Sequence, residues 1–295
     1  MKMNEQPRKP YSTCTHRPIP YFRVILAVLS LILFILPFAG SAEEAEDNSG
    51  EVIIMDEQTL TGEMSPGTEV QPFIPEDVEQ DRTIFGYDDR VTVKNPKNYP
   101  FSAIAYMEVH AGCGCKWTGS GFMVGEDRLM TAAHCLVCSD HSEWADQITF
   151  YFGYKSKNNY ACKYNSRWTA YVGNTFPNRS YTADYDYGCV KLEKKKVGNT
   201  VGWFGMRWND SLSTLTDTYV YVAGYRDGLK YDTGYINDAD RNKLYYTMDT
   251  LPGTSGGPIF DSDDYAIGIN IAQNDSYNTG YRINDDVLEC YYSVE

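Results

Sequence analysis

From residue 99 onward, short apolar runs rich in β-branched and aromatic residues alternate with polar clusters of Gly, Asn and Asp. Runs of this length between turn-forming residues are typical of β-strands. They lie at residues 101–109, 121–124, 148–154, 168–172, 188–192, 219–225, 244–249 and 265–271. Only residues 283–292 have the pattern of a helix. The chain therefore predicts an all-β sandwich or barrel with a short C-terminal helix.

The N-terminus has the order of a secretory signal peptide. Basic residues, among them Arg8, Lys9, Arg17 and Arg23, precede an apolar run at residues 24–39, and Gly40, Ser41 and Ala42 follow it. This order predicts cleavage after Ala42. A membrane anchor is the alternative, but the run has 16 residues, whereas a spanning helix needs about 20. We expect residues 1–42 to be removed and the rest to be secreted, with no membrane attachment.

Residues 43–82 are acidic. Positions 43–81 hold 13 Asp or Glu and no Lys or Arg, out of a net charge of −14 for the whole chain. Such a segment buries little apolar surface and is expected to be extended or loosely ordered, as a linker or as a propeptide. Arg82 is its only basic residue and directly precedes Thr83. An activating protease that cuts after Arg82 would release residues 83–295 as the mature domain.

The charge of the mature part excludes one class of partner. Residues 83–295 hold 20 basic and 26 acidic residues, with no basic face of the kind that binds phosphates. A net-negative surface repels the phosphate backbone, so no nucleic-acid partner is expected.

Seven cysteines lie beyond the signal sequence, and export favours disulfides among them. Their odd number leaves at least one free or paired between chains. The alternative is a zinc site built from the Cys113-x-Cys115 and Cys135-x-x-Cys138 pairs. Because one spacing is short and the compartment is oxidising, we expect no metal. The histidines on either side of these pairs, His110 and His141, are then expected to be surface residues.

Two strings in the chain carry residues suited to nucleophilic catalysis. His134 ends the string Thr-Ala-Ala-His, whose small residues let the backbone pack closely. A histidine is a natural general base near neutral pH. Ser255 lies in the string Gly-Thr-Ser-Gly-Gly-Pro. Its glycines allow a tight turn that aims the backbone N–H groups of Gly253 and Ser255 at a developing oxyanion.

An aspartate opens the apolar run at 188–192, where it could orient and stabilise a protonated histidine. Asp186 is the first candidate and Asp184 the alternative. Asp186 lies 52 residues after His134 and 69 before Ser255, in the order His, Asp, Ser.

These strings, in this order, resemble the trypsin and chymotrypsin-like serine proteases, and most of all the bacterial glutamyl endopeptidases. The resemblance runs from about Thr83 to Tyr292. It implies two antiparallel β-barrels and a His134–Asp186–Ser255 triad that acts through an acyl-enzyme without a cofactor. It also implies a monomer whose partners are peptide or protein substrates. A non-catalytic secreted binding protein on the same fold is the alternative.

Departures from the family pattern affect activation and specificity. In the animal digestive enzymes, an acidic residue just before the nucleophile forms a buried ion pair with the new N-terminus. That position is Thr254 here, so this ion pair is not available. The resemblance implies that Thr250 and the new N-terminal amine of Thr83 both contribute to the substrate pocket. Asn270 stands where glutamyl endopeptidases have a histidine that binds the substrate carboxylate. Asparagine carries no positive charge, so a preference for Glu is expected to weaken or to shift to Gln or another polar or small side chain.

One further departure concerns a disulfide. Many family members link the cysteine that follows the catalytic histidine to one in the preceding strand. That strand position is Gly119 here, so Cys135 needs another partner. Cys113, Cys115 and Cys138 are the candidates.

Overall fold

The structure is a computed structural model that describes residues 49–54, 90–138, 140–173, 185–208, 210–273 and 277–293. Contacts divide the chain into Met1–Glu44 and Ala45–Glu295, and every described residue belongs to the second unit. Ala42, Arg82, Thr83 and Asp184 lie outside the described residues. The expectations for the signal peptide, the activation cut and the alternative acid therefore stay predictions.

The described part is mostly β-structure. Its first ten strands are β1 (Gly50–Ile54), β2 (Val91–Thr92), β3 (Ile104–Ala111), β4 (Lys116–Met123), β5 (Arg128–Thr131), β6 (Val137–Cys138), β7 (Glu143–Phe152), β8 (Cys162–Tyr164), β9 (Trp168–Val172) and β10 (Gly188–Leu192). The remaining seven are β11 (Gly205–Met206), β12 (Tyr219–Tyr225), β13 (Leu229–Ala239), β14 (Lys243–Tyr246), β15 (Pro258–Phe260), β16 (Tyr265–Gln273) and β17 (Asn278–Arg282). The all-β prediction is confirmed.

The strands form two sheets. In the first, the order is β1-β9-β10-β5-β4-β3-β7-β6, with β8 also paired to β7. This sheet curls into a half-barrel. In the second, six strands follow the order β16-β15-β12-β13-β14-β17, and β17 pairs again with β16. That last pairing closes a six-stranded barrel. Of the two expected barrels, one is closed and the other is a curled sheet.

Helices are few and short. α1 (Gly198–Val201) and α2 (Leu212–Leu215) are single turns, and α3 (Asp285–Tyr292) ends the described chain. The predicted terminal helix at 283–292 begins at Asp285, because the Asn284 side chain caps it by accepting a hydrogen bond from the Val287 N–H. The two single turns were not predicted.

Among the residues that the structure describes, no helix is both long and apolar enough to cross a membrane.

The larger of two apolar clusters in the described residues spans both sheets. Alternate residues of β3 face inward, as the period of a strand requires. Phe122 of the first sheet meets Phe204 edge to face, with ring centroids 5.8 Å apart. Phe204 in turn lies 4.9 Å from Phe260 of the second sheet. Each fully buried ring contributes roughly 1.5–3 kcal/mol of transfer free energy, so these contacts help to hold the two sheets together.

Part of the acidic segment is structured. β1 pairs in parallel with β9, and Gly50 lies opposite Trp168. A Cβ on Gly50 would come within 2.0 Å of the Trp168 ring, so only glycine fits there. Val52 packs against the core. Residues Gly50–Ile54 of the acidic segment are therefore a paired strand, which is an extended conformation.

Candidate active site

His134 and Asp186 are joined by two hydrogen bonds. His134 lies in a 3-10 turn, Ala133–Leu136, directly after β5. The distance from His134 Nδ1 to Asp186 Oδ2 is 2.6 Å, and the His134 backbone N–H donates to Asp186 Oδ1 at 2.9 Å. Asp186 is 7% exposed and precedes β10 by two residues, rather than opening the strand itself. The carboxylate thus holds both the ring and the main chain of the histidine.

The pKa of His134 reflects two opposed effects. Burial by itself lowers the pKa of the imidazole, and the negative charge of Asp186 raises it. The carboxylate outweighs burial, so the pKa of His134 lies well above its usual value. The imidazolium form is therefore stabilised, as a base that must hold a proton during a reaction requires.

Backbone contacts place Ser255 beside the histidine segment. The carbonyl oxygen of Ser255 accepts a hydrogen bond from the Ser120 N–H at 2.8 Å. It also accepts one from the thiol of Cys135, the residue after His134, at 3.3 Å. Ser255 lies in the loop between β14 and β15 of the closed barrel, and His134 follows β5 of the curled sheet, so their backbone segments come together where the sheets join.

Gly256 permits this close approach. Its φ is +84°, and a Cβ there would lie 2.1 Å from the Ser120 carbonyl oxygen and 2.3 Å from Thr131 Oγ1. Gly253 also has a left-handed φ, +105°. Any other residue at 256 would be strained and would push the Ser255 loop away from the strand that leads to His134.

Ser120 is a residue that we did not predict. It is fully buried in β4, and its hydroxyl donates to the Gly253 carbonyl oxygen at 2.9 Å. The same hydroxyl accepts a hydrogen bond from the Tyr225 N–H at 2.8 Å. Ser120 therefore ties a strand of the first sheet to the loop and to a strand of the second. The available signal was a polar residue between Gly119 and Gly121 in an apolar strand.

Asn270 supports the loop from behind. It is 2% exposed, its Oδ1 accepts from the Tyr246 hydroxyl at 2.7 Å, and its Nδ2 donates to Thr254 Oγ1 at 3.1 Å. Thr254 Oγ1 in turn donates to the Leu251 carbonyl oxygen at 2.7 Å. Burial raises the pKa of Tyr246, which keeps its hydroxyl a donor. The residue before Ser255 thus forms a neutral hydrogen bond with Asn270, at the position where the digestive enzymes form an ion pair.

A cleft beside the loop carries positive charge. Thr250 and Thr254 line it together with Gly224 of β12. Three cations also line it, Arg90, Arg226 and Lys230, against one carboxylate, Asp249. Sequence reasoning did not identify these cations, because Arg90 is far in sequence from Arg226 and Lys230, which lie in the β12–β13 hairpin. Thr83, the third predicted pocket residue, lies outside the described residues.

The predicted disulfide of Cys135 is not formed. All seven cysteines in the described part of the chain are free thiols. A Cβ at position 119 would lie 2.8 Å from Cys135 Sγ, so Gly119 does face Cys135, as the family pattern implied. The thiol of Cys135 instead donates to the Ser255 carbonyl oxygen. None of its three proposed partners bonds to it.

Three other cysteines and a histidine do come together. The ligand atoms of Cys113, Cys115, Cys138 and His141 all lie within 4.8 Å of one another. The zinc site that we considered and set aside paired Cys135 with Cys138. Here His141 takes the place of Cys135, which points the other way, into the core.

The profile of the trypsin-like peptidase domain matches residues 119–269. The chain belongs to this family.

Two curated relatives match this trypsin-like peptidase over most of its length. The "Extracellular metalloprotease" of Bacillus subtilis (strain 168) is 32% identical over 228 residues, 71% of this chain and 68% of the relative. The "Glutamyl endopeptidase" of Bacillus licheniformis is 31% identical over 227 residues, 70% of this chain and 67% of the relative. The name of the first relative describes a metalloprotease, not a serine protease. The family profile and the glutamyl endopeptidase relatives support serine chemistry, and the chain is a serine endopeptidase close to the glutamyl endopeptidases.

Solved structures support the fold. The "Structure of Glu endopeptidase in complex with MPD" has a TM-score of 0.61 and 23% identity, covering 72% of this chain and 98% of that one. The protease Anisep from Arthrobacter nicotinovorans has a TM-score of 0.55 and 19% identity, covering 69% and 98%. The predicted chymotrypsin-like architecture of this trypsin-like peptidase is confirmed.

Proposed function

We propose that the chain is the precursor of an exported serine endopeptidase that uses His134, Asp186 and Ser255 and cuts preferentially after acidic side chains. The observation that carries the triad is the pair of Asp186 hydrogen bonds to His134, next to the loop that presents Ser255. A carboxylate that fixes a histidine in this way is the arrangement needed to activate a serine hydroxyl.

The proposed reaction has two halves. Ser255 Oγ attacks the scissile carbonyl while His134 takes its proton, and the backbone N–H groups of Gly253 and Ser255 donate to the resulting oxyanion. His134 then protonates the leaving amine, which leaves an acyl-enzyme on Ser255. Water, activated by His134, releases the second product. The buried carboxylate of Asp186 stabilises the imidazolium in both halves.

The loop is held in shape before any substrate arrives. The Gly256 N–H donates to the Asn270 carbonyl oxygen at 2.7 Å, and the Gly257 N–H donates to that of Thr254 at 3.0 Å. Preorganised donors lower the barrier because they need no rearrangement as charge develops. In this proposal Asn270 supports the loop, and it is not the main ligand of the substrate side chain.

The charge of the cleft supports acidic specificity. With Asn270 occupied by Tyr246 and Thr254, the positive charge comes instead from the three cations that line the cleft beside Thr250. Arg226 is the best placed, because its Nη1 donates to the Pro252 carbonyl oxygen at 3.1 Å, one residue before Gly253. A guanidinium there would meet a substrate carboxylate with charge-assisted hydrogen bonds.

Arg226→Gln is expected to reduce the preference for Glu over Gln at the cleavage site by about tenfold or more, the loss of roughly one charge-assisted contact. The measurement compares kcat/KM for two peptides that differ only in that residue. Mass-spectrometric mapping of cuts in a diverse peptide mixture gives the full specificity. Arg241→Gln, an exposed arginine in another turn, is the matched control. If the ratio of kcat/KM between the Glu and Gln peptides were unchanged in Arg226→Gln, the cations of the cleft would not be the source of acidic specificity.

Maturation is proposed to complete the cleft. β2 pairs with β13, so that Val91 lies opposite Tyr231 and Thr92 opposite Lys230. Arg90, which lines the cleft, follows Thr83 by seven residues. Seven residues span at most about 25 Å, so the new amine of Thr83 would have the reach to add a positive charge to the cleft after a cut at Arg82.

A precursor with Arg82→Ala is expected to stay unprocessed and to be at least about tenfold less active on a Glu peptide than the processed enzyme, because the amine charge is missing. Initial rates on purified, size-checked samples test this. As a control, a recognition site for an unrelated protease placed just before Thr83 should restore activity once it is cut. Equal activity of uncut and processed forms would show that the Thr83 amine is not needed.

A further inference from the structure

The fold brings two hairpin turns side by side at one end of the first sheet. β3 pairs with β4 on one edge and with β7 on the other. The β3–β4 turn carries Cys113 and Cys115. Cys138 ends β6, and His141 lies in the turn that follows, before β7. Ala111 pairs with Ala145 of β7, next to an irregularity in the β3–β7 register. The two turns are therefore neighbours by topology, although they are more than 20 residues apart in sequence.

Each turn is closed by its own backbone. The Gly114 N–H donates to the Ala111 carbonyl oxygen at 2.8 Å, and Gly114 has a φ of +84°. In the other turn, the Ser142 N–H donates to the Cys138 carbonyl oxygen at 2.7 Å, and Ser142 has a φ of +55°. The two tight turns bring the ligand atoms of the four side chains within 4.8 Å of one another.

The distances between the ligand atoms fit a tetrahedral metal ion. His141 Nδ1 lies 3.2 Å from Cys115 Sγ and 3.5 Å from Cys138 Sγ. With Zn–S and Zn–N bonds of about 2.3 and 2.0 Å, a tetrahedral ion separates its sulfur and nitrogen ligands by about 3.5 Å. Cys113 Sγ completes the group within 4.8 Å. Three sulfurs and one imidazole are a ligand set that binds Zn²⁺ in structural sites.

The surroundings also favour a cation. The carboxylates of Asp140 and Glu143 are close enough to interact electrostatically with His141. A Cβ on Gly112 would lie 3.5 Å from Glu143 Oε2 and 3.8 Å from Asp146 Oδ2, so both carboxylates flank the other turn. A disulfide in the group would leave its third cysteine unpaired and remove two of the four ligands.

We propose that Cys113, Cys115, Cys138 and His141 form a structural Zn²⁺ site, separate from the catalytic residues. Three thiolates and Nδ1 of a neutral imidazole would bind the ion, and the displaced thiol protons would pass to solvent. Four protein ligands leave no open position for a water nucleophile, which makes the role structural. Cys138 follows the 3-10 turn of His134 by only two residues, so the ion would fasten the segment that leaves the catalytic histidine.

The test is a metal analysis of the processed enzyme, purified without chelator or added reductant. We expect close to one zinc per chain, lost in both Cys115→Ser and His141→Ala. Cys162→Ser, a cysteine outside the group, should keep its zinc. Reconstitution of metal-stripped enzyme with Co²⁺ should give the spectrum of a tetrahedral ion with thiolate ligands. The thermal midpoint should fall by roughly 5 °C or more when zinc is removed, because two turns lose their link.

Three results would overturn the proposal. The first is a disulfide that links any two of the three cysteines, detected by mass spectrometry after alkylation of the native and reduced protein. The second is metal-free, fully alkylated enzyme that is stable and gains no zinc when titrated. The third is zinc that remains in Cys115→Ser and His141→Ala at the level of the Cys162→Ser control. Circular dichroism identifies variants that fail to fold, and zinc titration of the wild-type protein alone still decides the question.

Discussion

Replacement of Ser255 by alanine should lower kcat by about 10⁵- to 10⁶-fold and leave substrate binding nearly unchanged. The alanine removes the proposed nucleophile, while the loop proposed to bind the oxyanion is kept in place by backbone hydrogen bonds to Ser120 and Asn270. Loss of a triad serine has effects of this size elsewhere, with residual catalysis from binding and the oxyanion site. Steady-state rates on a Glu-containing peptide, together with covalent labelling by a fluorophosphonate, measure both consequences.

Ser156→Ala is the control, since Ser156 is an exposed residue in a turn remote in sequence from the proposed catalytic residues. It should keep full activity and full labelling. If Ser255→Ala remained active, the hydrolysis would come from another group, and the metal chemistry in the name of the Bacillus subtilis relative would need to be considered. If the processed wild-type protein were folded but cut nothing and took up no label, the binding-protein alternative would replace the proposed reaction.

Asp186→Asn should lower kcat by roughly 10⁴-fold, with little change in KM. The amide can still accept the His134 backbone N–H through its oxygen, so the turn should keep its shape. Its NH₂ group, however, would face His134 Nδ1 and force the proton onto Nε2. The nitrogen that must accept the serine proton is then already protonated. Kinetics across pH and a crystal structure or NMR tautomer assignment of His134 would test this.

The pH profile gives an independent test. The base must be unprotonated to act, so activity in the wild type should rise as pH increases through the pKa of His134. The Asp186 carboxylate holds that pKa above its usual value against burial, which lowers it. In Asp186→Asn, the midpoint of the acidic limb should therefore move to lower pH. Asp184→Asn is the control and should behave like the wild type. If Asp184→Asn showed the loss of activity and the pH shift while Asp186→Asn did not, Asp184 would be the acid of the triad.

The proposed zinc site affects how the activities of these variants should be interpreted. The proposed ion fastens Cys138, two residues after the turn of His134. Partial loss of zinc during purification would lower activity without any change in the triad. Metal content should therefore be matched between variants before their rates are compared.

Several strands were predictable because their pattern is local. The segments at 168–172, 188–192 and 219–225 have the bounds of β9, β10 and β12, since alternate or continuous apolar residues between turns define a strand by themselves. β13 was missed although it has 11 residues. Many of its side chains are polar or exposed, and it is a strand because β12 and β14 pair with it on both sides. Propensity does not contain that information.

The candidate site divides in the same way. Short sequence motifs identify His134 and Ser255, because each of these residues needs small or turn-forming residues directly beside it in the chain. The role of Asn270 was not apparent, since a position in a strand does not reveal which hydrogen bonds already occupy the side chain. Ser120 was missed because its partners, Gly253 and Tyr225, lie more than 100 residues away.

By itself the sequence determined the family, the all-β class and the candidate nucleophile, base and acid, all of which rest on residues that are close together or in a set order. Only the tertiary structure decided which barrel closes, which cations line the cleft, and which sulfurs meet His141. The physical reason is that strand register and sheet closure bring distant segments within bonding distance. The choice between Cys135 and His141 as a neighbour of Cys138 depends on which way a turn points, and only the packed chain determines that direction.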